Sequence, residues 1–384
     1  MAANKSSGVA LTPVKPRRLL IVKVNGMGDA VMVGSIIEHL RRLRPELEIG
    51  VLVGRGTREV MTACSDFRVH EFTGFKALTV LLKMLLGIRR CGYDTILNFE
   101  QNFRRLNLAL MSAGSPARIG FKPASDPSKT AFLTRSIRFR PEDSMWQSFV
   151  ALARLIEPGI SDALGTLPLR CSAQSEAFVA DWWERSLAGR HPVVAIHAGS
   201  NFMEYKRWPL ESFLEFAEQI RTHAPDLAIV MTGTPPEQPL IQEFIARYSG
   251  YAVDASVLGS VEKVAPVLRR CDLLVSNDTG VMHLGAAMGT PTVGLFGPVS
   301  PKQWGPIGPH VATVYETSVP CSPCVNTYAG VRPQDCSNPD KTRCMRDIKV
   351  ASVVAAARSV IRGDWLSPVV PESDGRSLGG RYVR

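Results

Sequence analysis

Apolar runs closed by glycine-marked stops recur along this chain. The first, Arg18-Leu19-Leu20-Ile21-Val22-Lys23-Val24, ends at Asn25-Gly26. A run with so little polar alternation, bounded by a turn, predicts a strand buried on both faces of a parallel sheet. Over residues 30–43 the apolar positions repeat at helical spacing, and Arg41, Arg42 and Arg44 close the segment before Pro45. Basic residues there complement the negative end of a helix dipole. Residues 49–53 and 95–99 repeat the strand pattern. This alternation predicts a doubly wound sheet.

A second series begins near His191. Strands are predicted at 192–197, 227–231, 272–276 and 290–296, with helices at 210–222, 239–248 and 280–288 between them. The expected architecture is therefore α/β, with two Rossmann-like halves facing across a cleft. The expected divisions are a first domain over 18–175, a second over 190–346, and a C-terminal helix over 347–363 that crosses back to the first domain. Residues 1–17 and 366–384 are polar and are expected to be disordered tails. In open α/β sheets ligands bind beyond the carboxyl ends of the strands, so each strand-end loop is a candidate site.

Composition narrows this little. The chain has 384 residues, 45% hydrophobic and 21% charged, which excludes a wholly disordered chain and suits two domains. No apolar run approaches the roughly 18 residues of a membrane span, and the polar N-terminus lacks a secretory core, so a cytoplasmic location is expected. The net charge of +10 favours an anionic partner such as a nucleotide or a phosphorylated lipid. Residues 78–90 are mostly leucine and end in Arg89-Arg90, the pattern either of a buried helix or of one lying on an anionic membrane surface.

Candidate chemistry gathers at the strand ends. Asn25-Gly26-Met27-Gly28-Asp29 follows the first strand. Val31 stands where a dinucleotide fingerprint has its third glycine, and Gly54-Arg55 where it has an acid. Arg55 suits a 2′-phosphate, which keeps a nicotinamide-dependent oxidoreductase as an alternative. Asp29 is either a dipole partner for its helix or a general base at the cleft rim. Gly199-Ser200 followed by Lys206-Arg207-Trp208-Pro209 offers N–H groups, a hydroxyl and an ammonium to a phosphate. Asn277-Asp278-Thr279-Gly280-Val281-Met282-His283 turns from strand to helix, and Thr279 and Gly280 present unbonded N–H groups to an anion. His283, one turn on, either points into the cleft or packs. Cys321, Cys324, Cys336 and Cys344 lie in a short Pro- and Gly-rich stretch. Four thiolates fit a structural zinc or iron; the plainer reading is four reduced thiols.

Taken in order, Leu20-Ile21-Val22-Lys23-Val24-Asn25-Gly26-Met27-Gly28-Asp29, Arg118-Ile119-Gly120-Phe121, Lys206-Arg207-Trp208-Pro209, Asn277-Asp278-Thr279-Gly280-Val281-Met282-His283-Leu284 and Phe296-Gly297-Pro298 resemble the heptosyltransferases of glycosyltransferase family 9. The resemblance covers roughly residues 18–361. It implies a GT-B architecture and transfer of a heptose from a nucleotide-activated donor, normally ADP-heptose, to a lipopolysaccharide core or similar anionic glycolipid, with peripheral membrane contact and no nucleic-acid partner. Carried over by position, Asp29 matches the catalytic base and Lys206 a lysine at the donor diphosphate. Thr279 and Gly280 match the phosphate corner, and Asp278 a contact to the transferred sugar. Glu237 matches a ribose contact, Ser200 a phosphate hydroxyl, and His283 joins the donor candidates. Arg104 and Arg118 are acceptor candidates. No Asp-x-Asp pair occurs, so no metal clamp on the diphosphate is suggested and no cofactor is expected for transfer, which would invert the anomeric centre. A non-catalytic nucleotide-sugar binding protein is the remaining alternative.

Overall fold

The computed structural model describes residues 13–64, 67–75, 78–100, 104–122, 132–138, 143–200, 203–325, 331 and 335–366. In the first half the chain runs β1 (Arg18–Lys23), α1 (Met27–Leu43), β2 (Glu48–Gly54), α2 (Arg55–Cys64), β3 (Arg68–Phe72), α3 (Leu78–Arg90), β4 (Thr95–Asn98), α4 (Arg104–Met111), β5 (Ala117–Lys122), β6 (Arg135–Arg138) and α5 (Met145–Ala153). After α6 (Ala173–Leu187) the second half runs β7 (Val193–His197), α7 (Leu210–Arg221), β8 (Ala228–Met231), α8 (Gln238–Arg247), β9 (Tyr251–Asp254) and α9 (Val261–Arg270). It continues with β10 (Leu273–Asn277), α10 (Gly280–Ala287), β11 (Thr292–Phe296), α11 (Pro301–Trp304), β12 (Val311–Tyr315), α12 (Arg343–Arg346) and α13 (Val350–Val360).

Each half builds one parallel six-stranded sheet, in the orders β3-β2-β1-β4-β5-β6 and β12-β11-β10-β7-β8-β9. Both orders reverse direction between two central strands, β1 and β4 in one sheet and β7 and β10 in the other. The crevice beyond such a switch point is where ligands of open α/β sheets bind. The central strands are buried on both faces, which explains their unalternating apolar sequence: Leu19 to Val22 and Val194 to Ile196 are fully inaccessible. Burying each such side chain is worth about 1.5–3 kcal/mol.

The helices divide between the faces of each sheet. In the first half, α1 packs with α2 and α5, while Met84 and Ile88 of α3 and Leu106 and Leu110 of α4 close the opposite face over Leu20, Val22 and Ile96. The outer side of α3 is unpaired: Leu78, Val80, Leu82 and Leu86 are exposed, as are Leu108 and Met111 of α4. Among the described residues no helix is long and apolar enough to cross a membrane.

The expected crossing of the C-terminal helix is corrected. Within the expected segment the helix is α13, and it packs on the second sheet, against α7, β11 and β12. Its buried residues Val350, Val353, Val354, Ala357 and Val360 complete the apolar cluster of that half, which leaves them no apolar face for the first. Instead the halves meet through α1 and α10 and through α2 and α9, while α6 packs on α9. The Glu59 carboxylate of α2 accepts from Val261 N at the start of α9 (2.8 Å). The calls on residues 1–12 and 367–384 lie outside the described residues.

Candidate active site

The first half contributes a charged cluster at its switch point. Lys23 ends β1, and its side chain is almost wholly buried, which an ammonium tolerates only when paired. It has two partners: Asp29 Oδ2 at 2.8 Å, from the first turn of α1, and Glu100 Oε1 at 3.1 Å, just past β4. Glu100 is itself fixed, accepting from Val24 N and Asn25 N at 2.8 Å each. Burial is the largest single influence on Lys23 and pulls its pKa down, yet Asp29 and Glu100 together carry it above the ordinary lysine value. Asp29 itself is partly open, its side chain 14% exposed. Gly26 makes the turn possible: its φ of 81° disfavours any side chain, and a Cβ there would stand 3.1 Å from the Asp29 carboxylate.

The second half presents two strand-end loops drawn together by Asn277, those after β7 and β10. Its Nδ2 donates to Ala198 O (2.9 Å) and Gly199 O (3.1 Å), and its Oδ1 accepts from Trp208 N (3.0 Å). Beside this knot Lys206 pairs with Asp278 at 2.5 Å, both side chains about one-tenth exposed. Thr279 caps α10 with extended backbone and makes no side-chain cap bond, and its hydroxyl lies 3.2 Å from Ser276 Oγ. The α10 N-terminus is thus suited to an anion. His283 is buried beneath it, and burial, only partly offset by Asp278, lowers its pKa to about 4. It is neutral at physiological pH and offers a hydrogen bond rather than a charge.

Glu237 reaches the same strand ends. Pro235 and Pro236 form one 3-10 turn with it, and its Oε2 accepts from Thr234 N (2.9 Å) and Thr234 Oγ1 (2.8 Å). The carboxylate lies directly over Gly199, where a Cβ would come within 2.0 Å of it. Ser200 is already engaged: its hydroxyl donates to Met203 O (2.7 Å) and accepts from Arg207 Nε (3.2 Å).

The two halves touch at these helix starts. A Cβ on Gly28 would lie 2.4 Å from the His283 ring, and one on Gly280 would lie 2.6 Å from Met27 Cβ. Asp29, next to Gly28, is therefore brought close to the corner of Lys206, Asp278, Thr279 and His283. Arg118 belongs elsewhere. It stands at the amino end of β5, and its guanidinium donates to Phe132 O (2.6 Å) and Ser115 O (2.7 Å), so backbone carbonyls hold it there. The side chain of Arg104 lies outside the described residues.

Cys321, Cys324, Cys336 and Cys344 line one small cavity of about 10 Å³ with Tyr205 and Pro298. Burial pushes the Cys344 thiol up to about 11, and the three neighbouring cysteines add to the shift. Among the described residues, no three His, Cys, Asp or Glu side chains already converge as metal ligands. Sequence reasoning passed over Lys23 and Glu100. The available signal was a lone lysine inside an otherwise apolar strand.

A family model for glycosyltransferase family 9 (heptosyltransferase) matches residues 81–331. The lipopolysaccharide core heptosyltransferase OpsX of Haemophilus influenzae is 23% identical over 309 residues, covering 78% of this chain and 85% of that protein. The solved structure of E. coli ADP-heptose lps heptosyltransferase II superposes with a TM-score of 0.69 at 19% identity, covering 89% of this chain and 98% of the other. The iron-containing dodecameric glycosyltransferase TibC of enterotoxigenic E. coli H10407 gives 0.55 at 13% identity, covering 91% of this chain and 80% of its own. With two switch-point sites face to face in a GT-B fold, and a family model spanning most of the sequence, the chain belongs to glycosyltransferase family 9, the heptosyltransferases.

Proposed function

We propose that this glycosyltransferase moves a heptose from ADP-heptose to the sugar core of an anionic glycolipid of the lipopolysaccharide type, with inversion at the anomeric carbon. In this reading residues 18–175 receive the acceptor and residues 190–346 the donor. The observation that carries it is the apposition of Asp29 to the Lys206–Asp278–Thr279 corner across the cleft. Asp29 takes the proton of the acceptor hydroxyl as that oxygen bonds to the anomeric carbon, while the bond from that carbon to the diphosphate oxygen breaks and ADP departs. The leaving diphosphate gathers negative charge, which Lys206 and the N–H groups at Thr279 and Gly280 neutralise. Such preorganised stabilisation is commonly the largest catalytic contribution. Asp278 holds Lys206 in place, and the diphosphate arrives as a second anionic partner. In this reading Glu237 accepts from ribose hydroxyls and Asp278 meets the transferred sugar.

Two further parts belong to this reading. The four cysteines would hold a structural zinc or iron, supported by the chemistry of four thiols around one ion-sized cavity and by the iron-containing relative; such an ion would fix the loop after β12. The outer face of α3 would rest on an anionic lipid surface, supported by its exposed leucines beside Lys83, Arg89 and Arg90 and by the absence of any acid on the helix.

Family membership leaves no support for the oxidoreductase alternative. Acceptor-dependent ADP release tests the proposal: purified protein is given ADP-heptose, then UDP- and GDP-sugars, with and without heptose-deficient lipopolysaccharide. Release with ADP-heptose and acceptor alone is expected; equal release from another nucleotide sugar would overturn the donor assignment.

A further inference from the structure

Lys23 and Glu100 do not line the cleft, yet they surround the group on which the proposed chemistry turns. The Lys23 side chain is 4% exposed and that of Glu100 6% exposed, so neither meets substrate. Lys23 spans the switch point between β1 and β4, touching Asp29 at 2.8 Å and Glu100 at 3.1 Å. Two backbone N–H groups pin Glu100, and Glu100 N in turn donates to Asn98 Oδ1 (2.8 Å). The cluster is therefore one ammonium between two carboxylates, only one of which is partly open to solvent.

Charge arithmetic gives this arrangement a purpose. With both carboxylates ionised the cluster carries one negative charge. A proton arriving on Asp29 brings it to zero, because Glu100 still balances Lys23. Without Glu100, the same proton would leave a buried ammonium uncompensated, which is costly. Without Lys23, two carboxylates would face each other and one would be driven to bind a proton prematurely.

We propose that Lys23 and Glu100 form a positioning clamp that keeps Asp29 ionised before the reaction and lets it accept a proton during it. The proposal rests on Asp29 being the base. Lys23 lowers the basicity of Asp29, and Glu100 restores enough of it for proton transfer. The charged and titratable groups seen around Asp29 are Lys23 on β1 and Glu100 after β4, with His283 of α10 packed on the neighbouring Gly28 and itself near Lys206 and Asp278. His283, with a pKa of about 4, titrates in the same acid range, so the profile is also taken in His283→Gln.

The test is the pH dependence of kcat/KM for ADP-heptose at saturating acceptor. In Lys23→Met the acid limb should move to higher pH by about one unit or more, the scale of a close opposite charge. In Lys23→Arg it should return towards the wild-type position. In Glu100→Gln, whose amide oxygen still accepts from Val24 N and Asn25 N, the limb should move to lower pH and the plateau should fall. Opposite movement in the two variants is not what simple loss of structure would give. An unmoved limb in folded Lys23→Met, or an unmoved or raised limb in Glu100→Gln, overturns the clamp. Should Lys23→Met not fold, Lys23→Arg and Glu100→Gln still decide. Asp29→Asn is the control for the underlying reading: a loss of about 10²–10⁴ supports it, and near-normal turnover removes the base itself.

Discussion

At the scale of residues, burial settles what His283 can be. Its pKa stands near 4 in the folded protein against about 6.5 when exposed. As pH falls through 6.5 the unfolded chain binds a proton that the folded chain refuses. The stability that the neutral ring provides is complete above pH 6.5 and is lost progressively down to about pH 4. A shift of this size corresponds to a few kcal/mol. His283→Gln should therefore melt at a temperature less sensitive to pH between 6.5 and 4, with a residual slope from His197, which burial lowers in the same sense. Identical slopes in the two proteins would show that the ring charges without penalty. The places of Asp29, Lys206 and Asp278 were legible because each follows a glycine-marked stop or a strand-to-helix corner. Lys23 and Glu100 were not, because a contact across 77 positions exists only once β1 and β4 lie side by side. The surroundings of Arg118 were not legible, because sequence does not say which end of its strand faces the cleft.

At the scale of elements, α3 has one side buried and one side open. Met84 and Ile88 bury one side, while Leu78, Val80, Leu82 and Leu86 are between 43% and 64% exposed on the other. Periodicity could not separate the buried and the membrane-surface readings, because leucine fills both faces. If the outer face lies on lipid, the protein should sediment with phosphatidylglycerol vesicles at low salt and less so at high salt, as the screening length shortens from about 10 Å at 0.1 M to about 3 Å at 1 M. Leu82→Glu with Leu86→Glu should abolish this without altering the melting temperature. Vesicle binding that survives both changes would exclude α3. The loop after β12 makes a second prediction. Protein purified without chelator should carry near one zinc or iron per chain, and Cys321→Ser with Cys324→Ser should lower metal content and melting temperature together. Four readily alkylated thiols in metal-free protein of unchanged melting would exclude a structural ion. The C-terminal segment was expected as one helix. Within it α13 runs from Val350 to Val360 and docks on the second sheet.

At the scale of the whole molecule, the same strand order appears twice, and its sequence signal was strong because parallel strands buried on both faces tolerate little polarity. What no local pattern could give is the fit between the halves. Glycines 28 and 280 let α1 and α10 begin almost in contact, and neither helix start has a side-chain cap. Each helix start carries roughly half a positive elementary charge. Two such ends repel, so the closest approach of the halves is electrostatically unfinished. An anion lodged between them would act as mortar. ADP should accordingly raise the melting temperature more at low ionic strength than at high, and Gly280→Ala, which wedges Met27 away, should blunt the effect. A nucleotide that joins the halves also holds them shut, so the molecule that completes the closed state is the one whose escape must reopen it.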